Sequence, residues 1–532
     1  MNRILTLLFS LAALSAAAQV TEPVPTRAET GADACPAAIA PIEAPFYMPQ
    51  LGKPLFRDVD VRLEARADGA LRTRQIQQAI DRLAREGGGR VVLGRGVWPT
   101  GRLVLKSGVE LHVEEGAEVR FSGEVEDFLP AVFTTNAGVE LYSLGACIYA
   151  EGQHDIALTG RGRLIGPALG GSIRAGRPQN DGDIDPDTPV AERLFDGRNG
   201  RGIQLPTFFG PIGCRNVYLE GVSFEQTAFW NVAPVYCENV VIRGIRVSSF
   251  GTPCGDGVDI TCCRNVLVEY VTTDCGDDNI AVKGGRNEFG YRVNRASENI
   301  VVRRCLALRG MGGLTVGSET AGWIRNLYAH DCVCDGTRVG IRLKTRRPRG
   351  GGGENLFFER IRLKTEAGAL AWEMLGTANF VGGLSARLPA PALTHLTPAF
   401  RNVSIREVIV EGCRELIYVQ GIPESPARNI RIENVTADTR RDTSVSAYGV
   451  YKPKPSPYVI DLVDVDGIVL RNIRATTDKR DIRLVDVREG LFENIVLDLR
   501  GGELRTEISG DGTRCLRFER CEPAIVATRR DE

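Results

Sequence analysis

The 532-residue sequence predicts an all-β fold, a single-stranded parallel β-helix with an N-terminal capping helix. Three observations predict it: short repeats with a recurring asparagine, an excess of glycine, and one amphipathic helix ahead of the repeats. The chain has 60 glycines, well above the average of about 7%, without a Gly-X-Y period. Many turns between short strands are therefore indicated. Two to four ordinary domains would also fit this length, but one elongated fold accommodates it all.

The helix comes first along the chain. It is predicted from Thr73 to Glu86, with Thr73 as a possible N-cap and Gly87 to Gly89 ending it. Its apolar residues share one stripe, which would close the open end of a solenoid; they are Ile76, Ala79, Ile80 and Leu83. The predicted division is a signal peptide at 1–20, the β-helix domain at 45–500 and a C-terminal cap or tail at 501–532.

The repeats supply the rungs. Each copy has a turn, an asparagine and then alternating apolar residues, as in CRNVYLEGVSF from Cys214 and CRNVLVEYVTT from Cys263. Units this short cannot bury an apolar face alone, so they stack on their neighbours. A leucine-rich repeat is the rival, but its LxxLxLxxN pattern is absent and no helix is expected inside a rung. The recurring residues are Asn216, Asn239, Asn265, Asn299, Asn326, Asn355, Asn402 and Asn429.

The first twenty residues, MNRILTLLFSLAALSAAAQV, have one arginine, an apolar run and small residues suited to a signal peptidase. We therefore expect a secreted or periplasmic protein with no membrane contact after cleavage; a membrane anchor would need a longer apolar run. Lys and Arg total 66 against 67 Asp and Glu. This balance argues against a nucleic-acid binder. A monomer is expected.

Fourteen cysteines in an exported chain would ordinarily suggest disulfides. Five of them, Cys214, Cys237, Cys263, Cys305 and Cys332, recur at similar places in the repeat, however, so we expect mostly free thiols in the core. Cys515 and Cys521 are the best candidates for a bridge. Zinc is disfavoured because no paired CxxC is present and the four histidines are scattered. The sequence indicates no metal and no cofactor.

Carboxylates are concentrated in two neighbouring rungs. CGDGVDI contains Asp256 and Asp259, and CGDDNIAVKGG contains Asp277, Asp278 and Lys283. Asp256 and Asp277 are about one rung apart, which would stack them at roughly 4.8 Å. Crowded carboxylates cannot all ionise easily, and a protonated and an ionised acid together can cleave glycosidic bonds. Aspartate beside glycine also builds turns, which explains either motif taken alone.

Two cations follow on a later rung. In GIRLK, Arg342 and Lys344 are two residues apart, so on a strand they share one face. Such a pair beside acidic catalysts suits the carboxylate of an anionic sugar. The alternative is that they only neutralise the acidic cluster. The run Arg346, Arg347 and Arg349 either extends this positive strip or is a solvated loop.

Four motifs together resemble those of the polygalacturonase-like glycoside hydrolases of family 28, which are right-handed parallel β-helices of the pectin-lyase-like type. The family motifs N-T-D, G-D-D, G-H-G and R-I-K appear here, in order, as CGD, GDD, GMG and RLK. The resemblance, over roughly residues 45–475, implies that Asp277 is the general acid and that Asp256 and Asp278 activate water. It also implies that Arg342 and Lys344 bind uronate. The GSET stretch with Glu319 is similar to exo-acting members.

Two positions depart from the family pattern. The family histidine is Met311 here, and Ala233 stands where related bacterial sequences often have histidine. Met311, Glu319 and Lys283 complete the predicted substrate-binding set. We expect an inverting, exo-acting hydrolase of galacturonic-acid-containing pectic polysaccharide. The alternatives are a hydrolase of rhamnogalacturonan or other pectin side chains, a Ca²⁺-dependent pectate lyase, and a non-catalytic carbohydrate-binding β-helix.

Overall fold

The computed structural model of the protein describes residues 23–176, 184–198, 200–439, 456–526 and 528–529. The predicted signal peptide at 1–20 lies outside them. The predicted parallel β-helix is confirmed, since strands from successive rungs pair in parallel and form three sheets along the coil. In the described ranges, no helix is long and apolar enough to cross a membrane.

The three sheets are built from separate strands in the first two thirds of the chain. The first sheet contains Asp60–Leu63, Gly89–Leu93, Val109–Val113, His154–Gly160, Arg215–Glu220, Glu238–Arg243, Arg264–Glu269, Ser297–Arg303 and Ile324–His330. The second contains Gly96–Thr100, Ala117–Phe121, Arg163–Ile165, Ser223–Glu225, Arg246–Ser248, Thr272–Asp274 and Leu306–Ala307. The third contains Leu103–Val104, Ala146–Glu151, Thr207–Ile212, Val258–Thr261, Ile280–Lys283 and Gly310–Val316.

Later strands are longer because they run round the corners between sheets. They are Val333–Lys344, Gly352–Glu373, Ala399–Gly412, Ala427–Asp438, Tyr458–Thr477 and Asp481–Leu499. Glu415–Gln420, Arg505–Ser509 and Thr528–Arg529 continue the third sheet, and Arg514–Glu519 continues the first. The coil thus runs past the predicted boundary at residue 500, because the segment expected to be a cap or tail still alternates and pairs. An antiparallel hairpin, Val132–Asn136 and Val139–Ser143, projects from an early rung.

Inward-facing side chains stack in rows through the coil. Val217, Val240, Val266 and Ile300 occupy one register position of the first sheet in consecutive rungs, and all are buried. Burying each such side chain contributes about 1.5–3 kcal/mol relative to leaving it exposed. No rung can gain this stabilisation without its neighbours, which explains why the repeats form one continuous coil.

The recurring asparagines form a ladder at the turn into the first sheet. In each pair the side-chain Nδ2 donates to Oδ1 of the asparagine one rung earlier, at 3.0–3.2 Å from Asn239 to Asn429. All of them have φ of 52–57°, a left-handed conformation that asparagine tolerates better than most residues. The repeat therefore conserves asparagine because one residue must make both the turn and the bond to the next rung.

The capping helix is confirmed at Thr73–Arg85, and the four predicted apolar residues are all buried. The N-cap prediction is wrong: Arg72 occupies that position without a side-chain cap. The Thr73 hydroxyl instead accepts a hydrogen bond from the Gly101 amide at 2.7 Å. It therefore ties the helix to the first rung of the coil rather than capping the helix.

Short helices also lie in connections between strands, contrary to the expectation that none fits inside a rung. They are Ser172–Ala175, Asn287–Val293 and Ala378–Val381, and there are 3₁₀ turns at Arg27–Glu29, Ala32–Ala34, Val125–Phe128, Val190–Glu192 and Gly382–Ser385. Residues 23–58 form an N-terminal arm outside the coil, where Ile42 and Met48 pack on Tyr218, Val241 and Leu267 of the first sheet.

The cysteines are free thiols. Those of the repeat are buried, as predicted for a core ladder, and Cys237 lies with its amide 3.3 Å from the Cys263 sulfur. The proposed bridge between Cys515 and Cys521 is not formed. Cys515 lies in the strand Arg514–Glu519 with its side chain exposed.

The ladder makes a prediction about stability. Asn265→Ala removes two side-chain hydrogen bonds and places alanine at φ 56°, so it should lower the free energy of unfolding by about 2–4 kcal/mol. Asn265→Gly removes the same bonds without the backbone penalty and should cost less. Urea unfolding compares the three proteins; equal stability of wild type and Asn265→Ala would show that the ladder does not stabilise the coil.

Candidate active site

The acidic residues lie at the start of two adjacent strands of the third sheet. Val258 pairs with Ile280, an offset of 22 residues, so Asp256 lies beside Asp278. The predicted stacking of Asp256 on Asp277 is thus wrong by one residue, because the true rung is one residue longer than the 21 assumed. The backbone carbonyl of Asp256 is held by the amide and the side chain of Asn231, at 3.0 and 2.8 Å.

Although Asp256 lies beside Asp278 rather than Asp277, the three carboxylates are close together. Asp256, Asp277 and Asp278 each offer one oxygen, and these oxygens lie within 4.8 Å of one another. Asp256 and Asp278 are buried, whereas Asp277 is partly exposed. The three oxygens could contribute to a site for a hard cation, although Ca²⁺ takes six to eight oxygen ligands and one oxygen of Asp278 is already bonded to an ammonium group.

That ammonium group belongs to Lys344, whose Nζ lies 2.6 Å from Asp278 Oδ2. Arg342 lies 3.5 Å from the other oxygen of Asp278 and 3.6 Å from Glu373. The two predicted cations therefore share a face and reach the acidic cluster. In the free protein they neutralise Asp278. Neutralisation of the acidic cluster was the predicted alternative to binding of a sugar carboxylate.

A second cation lies behind the cluster. Lys283 is only 4% exposed, and its Nζ lies 3.2 Å from Asp259 and 3.6 Å from both Asp256 and Glu319. The same ammonium lies 4.7 Å from the ring centroid of Trp230. Because Lys283 is surrounded by protein groups, its burial does not support the predicted contact with substrate.

Glu319 is also buried, and Arg349 holds it with an N–O distance of 3.0 Å. Burial alone would raise the pKa of Glu319, but the charges of Arg349 and Lys283 hold that pKa below its usual range. This acid is therefore ionised and serves as a counter-charge. Direct contact of Glu319 with substrate is no better supported than that of Lys283.

The environments of the carboxylates push their pKa values in opposite directions. Burial, with the neighbouring charge of Asp278, raises the pKa of Asp277. Burial would also raise the pKa of Asp278, but Lys344 and Arg342 outweigh it and hold that pKa below its usual range. Burial and the charges of Asp259 and Asp277 raise the pKa of Asp256 well above its usual value. The site therefore places acids of raised and lowered proton affinity side by side.

Met311 lies one rung beyond Asp277, and its amide donates to the Asp277 carbonyl at 2.9 Å. Its side chain is partly exposed, while Ala233, the other departure from the family pattern, is buried. Gly312 follows in the register position of Asp278. A Cβ on Gly312 would come within 2.7 Å of Asp278 Oδ1, so only glycine leaves room for this carboxylate.

Sequence reasoning did not select Gly312, Glu373, Trp230 or Arg349 as parts of the site. Gly312 is part of the GMG motif, but the motif alone does not show why glycine is needed there. Trp230 and Glu373 lie on the rungs before and after the motifs. Register within the third sheet would have indicated Glu373, which pairs with Lys344. Arg349 was noted in the arginine run, but nothing in the sequence distinguishes it from its neighbours.

Insertions form a wall along one side of the site. The tip of the hairpin reaches the rung of Lys283, since a Cβ on Gly138 would lie 2.8 Å from the Arg286 amide. In the helix Asn287–Val293, Glu288 pairs with His395 at 2.8 Å, and Arg193 lies 5.0 Å from the Phe289 ring. The third sheet is therefore bordered by these insertions where the strand of Lys283 ends.

The coil and its carboxylate cluster define a β-helical glycosidase. Residues 194–370 match the family model for glycosyl hydrolases family 28. A probable polygalacturonase of Vitis vinifera is 25% identical over 69% of this chain and 71% of that protein. An exo-poly-alpha-D-galacturonosidase of Dickeya chrysanthemi is 24% identical over 71% of this chain, which spans only 64% of that enzyme.

Among solved structures, a hyperthermoactive exopolygalacturonase from Thermotoga maritima is 28% identical, with a TM-score of 0.68 over 80% of this chain and 93% of that one. A family 28 exopolygalacturonase from Yersinia enterocolitica has a TM-score of 0.58 at 18% identity, over 89% of this chain and 78% of that one; this shows the fold. The resemblance is thus confirmed: the chain is a polygalacturonase-like glycosidase, and its residues 194–370 are similar to glycosyl hydrolases family 28.

The buried acids make the stability of the protein depend on pH. Burial raises the pKa of Asp259 to about 7, above about 3.9 in an unfolded chain. Between pH 4 and 7 the folded state therefore binds more protons, and its free energy of unfolding should fall by up to about 4 kcal/mol as pH rises through this window. The raised pKa of Asp256 also makes the free energy of unfolding fall as pH rises.

Asp259→Asn should flatten this dependence, because the amide does not titrate. Urea unfolding between pH 4.5 and 8 measures it, with the exposed Asp498→Asn as the control. An unchanged slope in Asp259→Asn would show that this carboxyl titrates as it does in water.

Proposed function

We propose that this protein is an exported, exo-acting hydrolase of galacturonic-acid-containing pectic polysaccharide. The observation that carries the proposal is the pair Asp277 and Asp278, whose pKa values are shifted in opposite directions within one cluster. Such a pair supplies an acid and a base at the same pH. The named polygalacturonase relatives support the choice of substrate, and the N-terminal signal, outside the described residues, supports export.

Asp277 acts as the general acid. Its raised pKa favours the protonated form, and it is the one member of the cluster that is partly exposed. It donates its proton to the glycosidic oxygen as the bond to the anomeric carbon breaks. Positive charge then develops on the sugar ring and is stabilised by the neighbouring carboxylates.

Asp278 is the base, and Asp256 helps it to hold the attacking water. The bond from Lys344 and the charge of Arg342 keep Asp278 ionised and engage one lone pair on each of its oxygens, which leaves the others to accept from a water. It is thus better suited to orienting a water than to attacking carbon itself. The water adds to the anomeric carbon, its proton passes to Asp278, and the configuration inverts.

The short separation of the carboxyl oxygens argues for retention, since inverting enzymes usually space their acids at roughly 6.5–9.5 Å. We favour inversion because Lys344 and Arg342 engage Asp278, which suits it to holding a water rather than attacking carbon, and because the family resemblance implies it. Lys283, with Glu319 behind it, has a positioning role: it lies between Asp256 and Asp259 and keeps two buried acids from repelling each other.

Arg342 and Lys344 bind the uronate carboxylate of the substrate. The contacts of Arg342 in the free protein are long, 3.5 and 3.6 Å, so its planar group of donors can reorganise to clamp a carboxylate. Met311, beside Asp277, provides an apolar contact for the sugar ring where the family pattern has histidine. The hairpin and the helix Asn287–Val293 close one side of the site, which supports release of products from a chain end.

Replacing the acid tests this assignment. Asp277→Asn should lower kcat by 10²- to 10⁴-fold on polygalacturonan and leave substrate affinity nearly unchanged, because an amide cannot deliver a proton. Asp278→Asn should also lower kcat. In wild type, kcat/KM should fall at low pH as Asp278 is protonated and at high pH as Asp277 is ionised. A folded Asp277→Asn protein with more than about a tenth of the wild-type kcat would refute the assignment.

The products test the mode and the stereochemistry of cleavage. Chromatography of early digests of polygalacturonan should show short products of one length while the polymer remains long. An NMR time course should show the β anomer first from the α-linked substrate. An initial α anomer would establish retention, and a ladder of mixed oligomers would establish endo action. Activity in the presence of a chelator, without an unsaturated product, separates hydrolysis from a Ca²⁺-dependent lyase.

A further inference from the structure

Arg346 continues the row of cations on the outer face of the third sheet. It follows Arg342 and Lys344 at two-residue intervals, two residues past the end of the strand Val333–Lys344, and the alternation of buried and partly exposed residues continues through it. Thr345, between them, is buried and its hydroxyl lies 2.8 Å from that of Thr320. The side chain of Arg346 is therefore directed to the same side as the two cations that reach Asp278.

Four neighbouring cations have acidic partners. Lys344 and Arg342 contact Asp278, Arg349 contacts Glu319, and Arg347 forms two hydrogen bonds with Glu424, at 2.5 and 2.6 Å. Arg346 is half-buried, yet within the described ranges its guanidinium has no hydrogen bond or ion pair. Its contact is the ring of Phe380, whose centroid lies 4.2 Å from the guanidinium carbon.

The surroundings of Arg346 also disfavour its positive charge. Burial lowers the pKa of Arg346, and the positive charges of Arg286 and Arg342 act in the same direction, against the opposing charge of Glu319. A half-buried cation without an ion pair is costly to keep. A bound anion would supply the missing opposite charge.

Phe380 holds the guanidinium in place. It belongs to the short helix Ala378–Val381, and its side chain is 70% exposed. The preceding turn requires glycine at 376, which has φ 77° and where a Cβ would lie 2.8 Å from the Arg346 Cβ. Arg347 fixes the segment by donating to the carbonyls of Leu384 and Ala386 at 2.9 and 2.7 Å. The pair is thus preorganised for a ligand.

We propose that Arg346, stacked on Phe380, binds the carboxylate of a uronate sugar next to the one held by Arg342 and Lys344. The proposal rests on the proposed function and extends it to a second subsite. Two residues span about 7 Å along a strand, roughly the width of one sugar. A guanidinium binds a planar carboxylate through two parallel N–H···O bonds, and the exposed ring offers a face to the sugar.

Calorimetric titration of trigalacturonate tests the subsite in the Asp277→Asn protein, which prevents turnover during the measurement. Adding Arg346→Gln should weaken binding about ten- to a hundredfold, as expected for hydrogen bonds to a charged group. Arg346→Lys should recover part of the loss, and Phe380→Ala should weaken binding less. Arg401→Gln is the matched control, because it removes the same charge on the first sheet, where Arg401 pairs with Glu354.

The neutral α-1,4-galactotriose provides the second comparison, since its binding should not depend on Arg346. Equal affinity of trigalacturonate for the Arg346→Gln and parent proteins would overturn the inference, and so would a lack of trigalacturonate binding by the parent. Binding that depends on Arg346, in a wild type that does not hydrolyse polygalacturonan, would refute the proposed function and leave the subsite supported. A melting temperature for each variant confirms folding.

Discussion

The register between rungs is the constraint on which this structure depends. The asparagine ladder fixes it on the first sheet, because each side chain both makes a left-handed turn and bonds to the same residue one rung away. Connections between sheets vary in length, but a rung must return to the ladder at its asparagine. The site on the third sheet therefore inherits its alignment from a row of bonds on another face of the coil.

That alignment brings together charges that would separate if they were free to move. Asp256 lies beside Asp278 because the strands following them pair directly, and Gly312 leaves the space that the carboxylate fills. Buried carboxylates are costly, and the cost is offset by cations placed on either side. Lys283 is behind the cluster, and Lys344 is in front of it. The difference between these two surroundings creates the difference in proton affinity on which the proposed chemistry depends.

Much of the fold and part of the site were predictable, because the repeat length of a β-helix is visible as a periodic pattern in its sequence. The asparagines revealed the rungs, and the alternation in GIRLK placed two cations on one face. The residue beside Asp256 was predicted incorrectly because the number of residues per rung varies by one or more. The alternation of apolar residues within one strand does not show how many residues the turns between strands contain. The burial of Lys283 and Glu319 was missed for another reason. Whether a polar side chain faces solvent depends on which side chains from other rungs cover it, here Trp230 at Lys283 and Arg349 at Glu319.

The central claim is that neighbouring aspartates hold opposite protonation states in one site. Infrared difference spectroscopy measures this directly, by following the protonated-carboxyl band of wild type, Asp277→Asn and Asp278→Asn as pH is varied. The account predicts that the band lost in Asp277→Asn titrates above the usual range of aspartate, and that Asp278 stays ionised to a lower pH than an ordinary aspartate. If both carboxyls titrate together near pH 4, the acid and base assignment is contradicted.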